Sequence, residues 1–192
     1  IKIQKIRQRK IMNFRKKIYK VPVYNKEILF KEAKLFSDWY IDRKLIKSKK
    51  SEFKKEFFNI LNDLIKKLKL KNDTFVHRDF HISNLMFVKD SIGVIDSQDA
   101  LIGNKAYDVA SLIDDVRFVT TYRTKKKLLN YYLKSQKKSN IQSFKNDFEI
   151  ISVLRNLKIL GIFTRLAKRD NKKKYLKLIP YTWYLIKLRS KN

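Results

Sequence analysis

Glycine and proline, the residues that most often interrupt regular secondary structure, are scarce in this chain. Its 192 residues include three glycines and two prolines, and so few breakers favour long helices. Apolar side chains also recur at helical spacing in two of the longer segments, as expected for helices that bury one face. The predicted helices cover residues 1–19, 26–45, 52–70, 105–115, 122–135, 142–169 and 171–189, the last of them bent at Pro180.

Residues 74–96 depart from this helical pattern. The β-prone stretch "TFV" precedes a polar cluster, and two short apolar runs follow it, "LMFV" at 85–88 and "GVI" at 93–95. Short apolar runs separated by turn residues predict a hairpin of two strands. Asn104 stands where it could cap the helix predicted next along the chain. The chain is therefore expected to be mostly α with a small β-hairpin.

The polar cluster combines residue types that suit phosphoryl transfer. His77, Arg78 and Asp79 are followed by Asn84, and Asp96 ends the second apolar run. The spacing H-R-D-x-x-x-x-N with a later Asp is that of a phosphotransferase catalytic loop and metal-binding hairpin. A hydroxyl that attacks the γ-phosphate of ATP needs a carboxylate to accept its proton, the role predicted for Asp79. Mg²⁺ prefers oxygen ligands, which Asn84 and Asp96 offer.

Each of these residues also has an ordinary structural explanation. Asp79 and Asn84 would suit a turn, and Asp96 would suit the end of a strand, because Asp and Asn are favoured at such positions. We assign His77 to bracing of the loop under either interpretation. The combination at this spacing favours the catalytic interpretation of the three other residues.

The segment after the hairpin extends the match. In "VIDSQDALIGNKAYDVASLIDDVR" (94–117), Asp96 is followed by Gly103 and then by Asp108-Val109-Ala110. In this pattern the chain resembles the aminoglycoside phosphotransferase and choline kinase-like family, which shares the protein-kinase fold. Within that family it is most similar to bacterial kinases that phosphorylate the anomeric hydroxyl of the cell-wall sugars N-acetylmuramate and N-acetylglucosamine. The stretches that carry this similarity are 29–40, 78–117 and 155–170.

The resemblance implies ATP as phosphate donor, Mg²⁺ as cofactor and a small-molecule sugar as substrate. Like the spacing, the resemblance implies that Asp79 is the catalytic base and that Asn84 and Asp96 bind Mg²⁺. It also implies that Asp108 is buried and braces the catalytic loop. An Arg in a cleft could bind the lactyl carboxylate of the sugar through two guanidinium nitrogens, and Arg117 is equally well explained as an exposed residue at a helix end. The candidates for the sugar side are Asp99, Asp115 and Arg117.

The chain departs from the family pattern at three points. Arg78 stands where many members have glycine, and Ser97 replaces a bulky apolar or aromatic residue. Kinases also hold the ATP phosphates with a glycine-rich loop and a strand lysine of an N-terminal lobe, and no glycine precedes Gly93 here. Residues 1–192 are thus expected to form a single C-terminal lobe of a protein-kinase-like (α+β) fold. The N-lobe would be absent, and activity would need a missing N-terminal lobe or upstream segment.

Charge and composition narrow the expected partners. The chain has 47 Lys and Arg against 18 Asp and Glu, a formal net charge of +29, and no cysteine. Because the lysines are spread over almost every segment, we expect non-specific but no specific binding to nucleic acid. The chain contains no signal peptide and no run of eighteen apolar residues, so we expect a cytoplasmic protein without a membrane partner.

Two alternatives stay open on the sequence alone. One is an aminoglycoside phosphotransferase, although a polycationic drug needs carboxylates around it, and the positive charge suits anionic N-acetylmuramate better. The other is a catalytically silent basic fragment that binds nucleic acid non-specifically. That fragment would be indifferent to Asp79→Ala, whereas a kinase would lose transfer.

Overall fold

The computed structural model describes residues 2–7, 9–12 and 15–191. The chain divides into two compact units, the first formed by Ile1–Asn25 and Lys69–Phe148 and the second by Lys26–Leu68 and Glu149–Asn192. Within the described ranges, helices predominate, and none of them is long and apolar enough to cross a membrane. The α-helices there are α1 (Lys26–Leu35), α2 (Lys47–Lys66), α3 (Ala106–Ile113), α4 (Tyr122–Lys134), α5 (Ile141–Arg169) and α6 (Ile179–Arg189).

The strands of the described chain all lie in the first unit, where they pair into antiparallel two-stranded sheets. The hairpin predicted from the two apolar runs is confirmed, with Leu85 opposite Val94. The strands are β1 (Lys10–Met12) with β2 (Ile18–Lys20), β3 (Asn72–Val76) with β6 (Leu101–Asn104), and β4 (Leu85–Val88) with β5 (Ser91–Val94).

The prediction of a helix over residues 1–19 is wrong. A short 3₁₀ helix, Lys2–Lys5, is followed by the β1–β2 hairpin, in which Met12 lies opposite Ile18. Lys16 in the intervening turn has a φ of 57°, which no continuous right-handed helix accommodates. Like charges four residues apart, as at Lys16 and Lys20, oppose a helix in this segment, whereas its Ile and Tyr residues favour strands.

The β3–β6 ladder is the central feature of the first unit, and β6 was not predicted. Val76 lies opposite Leu101 at one end and Asn72 opposite Asn104 at the other. All four residues of β6 are buried, so the strand lacks the alternation of apolar and polar residues that identifies a half-exposed strand. The predicted cap is present, since Asn104 Oδ1 accepts a 2.9 Å hydrogen bond from the Ala106 amide.

The second unit is helical and contains an aromatic cluster. Phe36 packs against Phe57 and Trp183, with ring centroids 5.3 and 5.7 Å apart, and Trp183 Nε1 donates to the Tyr40 hydroxyl at 2.9 Å. Helices α1 and α5 approach closely at Gly161. A Cβ at that position would lie 2.7 Å from the Leu35 Cβ and would collide with the Leu35 carbonyl, so only glycine allows this contact.

Pro180 begins a helix where the sequence predicted a bend. A 3₁₀ helix over Lys173–Leu178 ends at this point, and α6 starts at Ile179 with Pro180 in its first turn. The first turn has no intrahelical partner for backbone N–H groups, so the missing N–H of proline costs nothing there.

Candidate active site

The loop that follows β3 is held in place by a buried carboxylate. Asp108, fully buried in α3, accepts hydrogen bonds from the His77 amide at 2.8 Å and from the Arg78 amide at 3.1 Å. The residues just before Asp79 are therefore fixed by two charge-assisted bonds, which are stronger than bonds between neutral groups. The bracing role of Asp108 stays a prediction, and these two bonds are the contacts through which it would act.

Asn84 closes the loop behind Asp79. Its Nδ2 donates to the Asp79 carbonyl at 3.0 Å, and the amide of His81 donates to the same carbonyl at 3.0 Å. Because the amide nitrogen is used in this bond, the Asn84 Oδ1 is left as an acceptor, and no hydrogen bond to it occurs among the described residues. The side chain of Asn84 is thereby oriented with its oxygen available to a cation.

The β4–β5 hairpin brings Asp96 back to the same loop. The Ile95 amide donates to the Asn84 carbonyl at 3.1 Å, and the buried His77 lies with its Nε2 3.0 Å from the Ile95 carbonyl. His77 thus connects the loop after β3 to the residue before Asp96, and its bracing role stays a prediction. Since Asn84 and Ile95 are directly bonded, Asn84 and Asp96 lie at the same end of the hairpin.

Two residues of this cluster have left-handed backbone conformations. The φ angle is 76° at Arg78 and 69° at Asp96. Asp tolerates this region moderately well, but a long side chain such as Arg does so at a cost of about 1–2 kcal/mol. Such strain persists only where surrounding bonds fix the backbone, and it is concentrated at functional sites.

The three residues proposed for the sugar side lie in different settings. Asp115 is buried and accepts bonds from the Ile82 amide at 3.1 Å and the Arg117 amide at 3.0 Å. The Arg117 side chain is partly exposed, and its Nη1 lies 3.7 Å from the Asp115 carboxylate. Asp99 is exposed in the turn that leads into β6. Asp115 is thereby occupied in holding the loop, while Asp99 and Arg117 remain accessible.

The carboxylates of Asp79, Asp96 and Asp99 form no ion pair or hydrogen bond with any described residue. In a chain with 47 basic residues, these three carboxylates are thus left without a basic partner among the described residues. The described chain has no group of three His, Asp or Glu side chains arranged to hold a metal. The donor set at Asn84 and Asp96 still fits Mg²⁺, which keeps several waters and typically takes one or two protein ligands together with nucleotide phosphates.

A buried ion pair supports this region and was not found by sequence reasoning. Lys125 Nζ lies 3.3 Å from the Asp114 carboxylate and donates to the Ile113 carbonyl at 2.6 Å, and both side chains are almost fully buried. It ties α4 to the end of α3, directly before Asp115. Its sequence signal was weak, because lysines occur throughout the chain.

Another buried carboxylate, Asp147, holds the end of the β3–β6 ladder where Asn72 lies opposite Asn104. It accepts bonds from the Lys69 and Leu70 amides at 2.9 and 2.8 Å and from Asn104 Nδ2 at 2.6 Å. Nothing in its local sequence distinguishes Asp147 from a surface acid. Asp108 and Asp147 therefore both fix backbone segments of the first unit.

Comparison with known proteins identifies the class to which this loop and hairpin belong. Residues 21–139 match the model of the phosphotransferase enzyme family, and this range contains every candidate site residue. The chain belongs to this phosphotransferase family.

Several curated relatives are similar to the chain over most of its length. It is 33% identical over 166 residues to the N-acetylmuramate/N-acetylglucosamine kinase of Pseudomonas aeruginosa PAO1, a match that covers 83% of this chain and 49% of that protein. It is 31% identical over 166 residues to the protein of the same name from Neisseria meningitidis serogroup B, covering 83% of this chain and 50% of the relative. The chain therefore spans about half the length of these relatives.

Proposed function

We propose that the protein containing this chain transfers the γ-phosphate of ATP to a hydroxyl of an amino sugar, N-acetylmuramate or N-acetylglucosamine. The observation that carries this proposal is the loop at Asp79. Its carboxylate is free while the backbone around it is held by Asp108 and Asn84. A general base must be rigidly placed but unpaired, and this loop satisfies both conditions.

In the proposed reaction, Asp79 orients the sugar hydroxyl and accepts its proton. The hydroxyl oxygen forms a bond to the γ-phosphorus as the bond from that phosphorus to the β–γ bridging oxygen breaks, and ADP leaves. Asn84 Oδ1 and the Asp96 carboxylate would hold Mg²⁺, which neutralises charge on the phosphate oxygens. Asp108 and His77 keep the loop at the geometry that transfer requires, because small displacements of a base lower the rate strongly.

The charge of the chain supports an anionic acceptor. N-acetylmuramate carries a lactyl carboxylate, and the accessible guanidinium of Arg117 is a suitable partner for it. An aminoglycoside is polycationic and would be repelled by a chain with a formal net charge of +29. The two relatives described above are both named N-acetylmuramate/N-acetylglucosamine kinase. Their names support an N-acetyl sugar as the acceptor.

The test is a transfer assay with labelled ATP on the protein as the native cell produces it. N-acetylmuramate, N-acetylglucosamine and an aminoglycoside serve as acceptors. We expect Mg²⁺-dependent label on an N-acetyl sugar, a loss of about 10²–10⁴ in kcat for Asp79→Asn, and little change for Asp90→Asn, an exposed acid of the β4–β5 turn.

Label on the aminoglycoside alone would contradict the acceptor class. Equal activity of the Asp79→Asn variant and the wild type would contradict the assigned base. No transfer to any of the three acceptors by the folded native protein would favour the silent-fragment interpretation.

A further inference from the structure

A cavity of about 990 Å³ opens in the first unit, and seven of its sixteen described lining residues are basic. It lies at the start of β3 and the end of β6, where Asp73, Thr74 and Lys105 form part of its wall. We call it the basic cavity. Its positively charged residues are Lys2, Lys5, Arg7, Arg9, Lys69, Lys71 and Lys105.

The positive charge of the basic cavity is not neutralised from within the chain. None of its seven cationic side chains forms an ion pair with a described carboxylate. The bonds they do form go to neutral acceptors, from Arg9 Nη2 to the Asp73 carbonyl at 2.6 Å and from Lys105 Nζ to Gln136 Oε1 at 3.0 Å. Asp73 is the one acid in the described lining, so the seven cations outnumber it and the cavity keeps an excess of positive charge, which concentrates counter-ions.

The wall of the basic cavity is fixed by hydrogen bonds. Gln4 Nε2 donates to the Lys105 carbonyl at 2.8 Å, and the Tyr132 hydroxyl donates to Gln4 Oε1 at 2.9 Å. Arg9 is tied to β3 by its bond to Asp73. The N-terminal segment is thus attached at three points, to β3, to Lys105 just before α3, and to α4, and its cations line the same cavity as those next to the ladder.

The basic cavity is separate from the candidate active site. The catalytic loop leaves β3 after Val76, opposite Leu101, whereas the cavity lies at the end where Asn72 faces Asn104. Four residues of strand separate these two ends, about 13 Å at about 3.3 Å per residue. The phosphate donor at Asp96 and a ligand in the basic cavity would therefore occupy different places.

We propose that the basic cavity binds a compact polyanion, a small molecule that carries two or more adjacent phosphate groups. The volume lies in the range of small-molecule sites, and Arg7 and Arg9 offer the planar forks that bind phosphate through two nitrogens. Only Leu70 and Tyr132 contribute large apolar surface to the described lining, so the ligand is held by charge.

The probe for this proposal is inorganic tripolyphosphate, titrated calorimetrically into the full-length protein at low salt. EDTA is present, so that no Mg²⁺-dependent binding at Asn84 and Asp96 contributes. The test variant combines Lys69→Gln, Lys71→Gln and Lys105→Gln. The matched control combines Lys47→Gln, Lys49→Gln and Lys55→Gln, exposed lysines of α2 that lower the net charge by the same three units.

We expect one tripolyphosphate per chain, a Kd about tenfold higher in the cavity variant, and a Kd within about twofold of wild type in the control. Equal weakening in both variants would overturn the proposal, because the binding would then follow net charge alone. A short single-stranded DNA that binds more tightly than tripolyphosphate, and weakens equally in both variants, would also overturn it.

The single variant Lys71→Gln keeps the test decisive if the triple variant fails to fold. Lys71 is exposed and its removal leaves the hydrogen bonds of the wall intact. If Lys71→Gln raises the Kd for tripolyphosphate about threefold and Lys55→Gln leaves it unchanged, the result supports the site. If the Kd is unchanged in both variants, the result contradicts it.

Discussion

The two ends of the β3–β6 ladder carry unpaired charges of opposite sign. At the end near Val76, the carboxylates of Asp79, Asp96 and Asp99 have no basic partner among the described residues. At the other end, seven basic side chains surround the basic cavity without an acidic partner. Each end therefore keeps its charge for a ligand, and the two ends differ in how the charged groups are held.

The difference lies in the stiffness of the support. The acidic end rests on buried carboxylates, Asp108 and Asp115, that bind backbone amides of the loop directly. The basic end consists mainly of long lysine and arginine stems, which keep rotamer freedom. Single substitutions in the acidic end should therefore have large and specific effects, while those in the basic end should be graded and sensitive to salt.

Replacing the brace of the acidic end should have the largest effect on stability. Asp108→Ala leaves the buried amides of His77 and Arg78 without an acceptor, at about 1–3 kcal/mol each. We expect the free energy of unfolding to fall by about 4 kcal/mol and phosphate transfer to be lost. Urea unfolding measures the first effect, and faster hydrogen exchange of the two amides locates it.

Asp108→Asn is the matched variant for this prediction, because it keeps one acceptor oxygen and should lose about half as much stability. Asp90→Ala, at the exposed turn of the β4–β5 hairpin, should change neither stability nor exchange. Normal exchange rates at His77 and Arg78 in Asp108→Ala would show that the carboxylate does not hold the loop.

The elements predicted correctly from the sequence are those with a local signal. Helices α1 and α2 carry periodic apolar faces, and the β4–β5 hairpin has two apolar runs separated by a turn. Strand β6 has no such signal, because its burial and its pairing with β3 depend on residues about thirty positions away. The N-terminal hairpin was missed because the segment is rich in lysine, and its residues whose burial is described up to Lys20 are not buried, as in an exposed helix.

The site was predictable only where its chemistry depends on spacing along the chain. His77, Asp79, Asn84 and Asp96 were identified from their order, whereas the contacts of Asp115 and Lys125 depend on tertiary structure. The roles of the ligand-binding residues stay predictions. The basic cavity could not be predicted, because it assembles cations from three segments of a chain that has lysines almost everywhere.

The buried ion pair behind the acidic end gives the next largest effect. Lys125→Met keeps the apolar stem but removes the cation that lies 3.3 Å from the Asp114 carboxylate. Breaking one partner of a buried pair is strongly destabilising, and we expect about 3 kcal/mol in urea unfolding. Lys126→Met, the exposed neighbour, should cost less than 0.5 kcal/mol, as a typical surface change does. Similar losses in the two variants would mean that the pair contributes nothing specific.

Tyr132, in the wall of the basic cavity, should make stability depend on pH. Burial is the main reason that the pKa of its hydroxyl is raised from 10.0 to about 12. The hydrogen bond with Gln4 lowers this pKa, and the negative charge of Asp108 raises it further. Because the folded state holds this proton more tightly, the contribution is complete below pH 10 and is lost as pH rises through 12. The full loss is about 2.7 kcal/mol.

The measurement is the difference in unfolding free energy between wild type and Tyr132→Phe across this pH range. Because both proteins contain the same lysines, the effect of lysine titration cancels in this difference. We expect the advantage of the wild type to shrink by about 2–3 kcal/mol between pH 9 and 12. Tyr131→Phe, which removes an exposed hydroxyl, should show a constant difference. A constant difference for Tyr132→Phe as well would contradict the burial of its hydroxyl.

The smallest expected effect concerns the strained backbone at Arg78. Its φ of 76° suits glycine, and the guanidinium lies 5.9 Å from the centre of the Tyr24 ring. Arg78→Ala and Arg78→Gly both remove this cation–π contact, but only Ala keeps the cost of a Cβ in the left-handed region. We expect Arg78→Gly to be about 1 kcal/mol more stable than Arg78→Ala in urea unfolding. If Arg78→Gly is instead less stable than Arg78→Ala, Arg78 does not keep its left-handed backbone conformation in solution. Because glycine suits the backbone conformation at this position, the Arg78→Gly variant should also retain phosphate transfer. A loss of transfer in this variant would mean that Arg78 itself contributes to the acidic end.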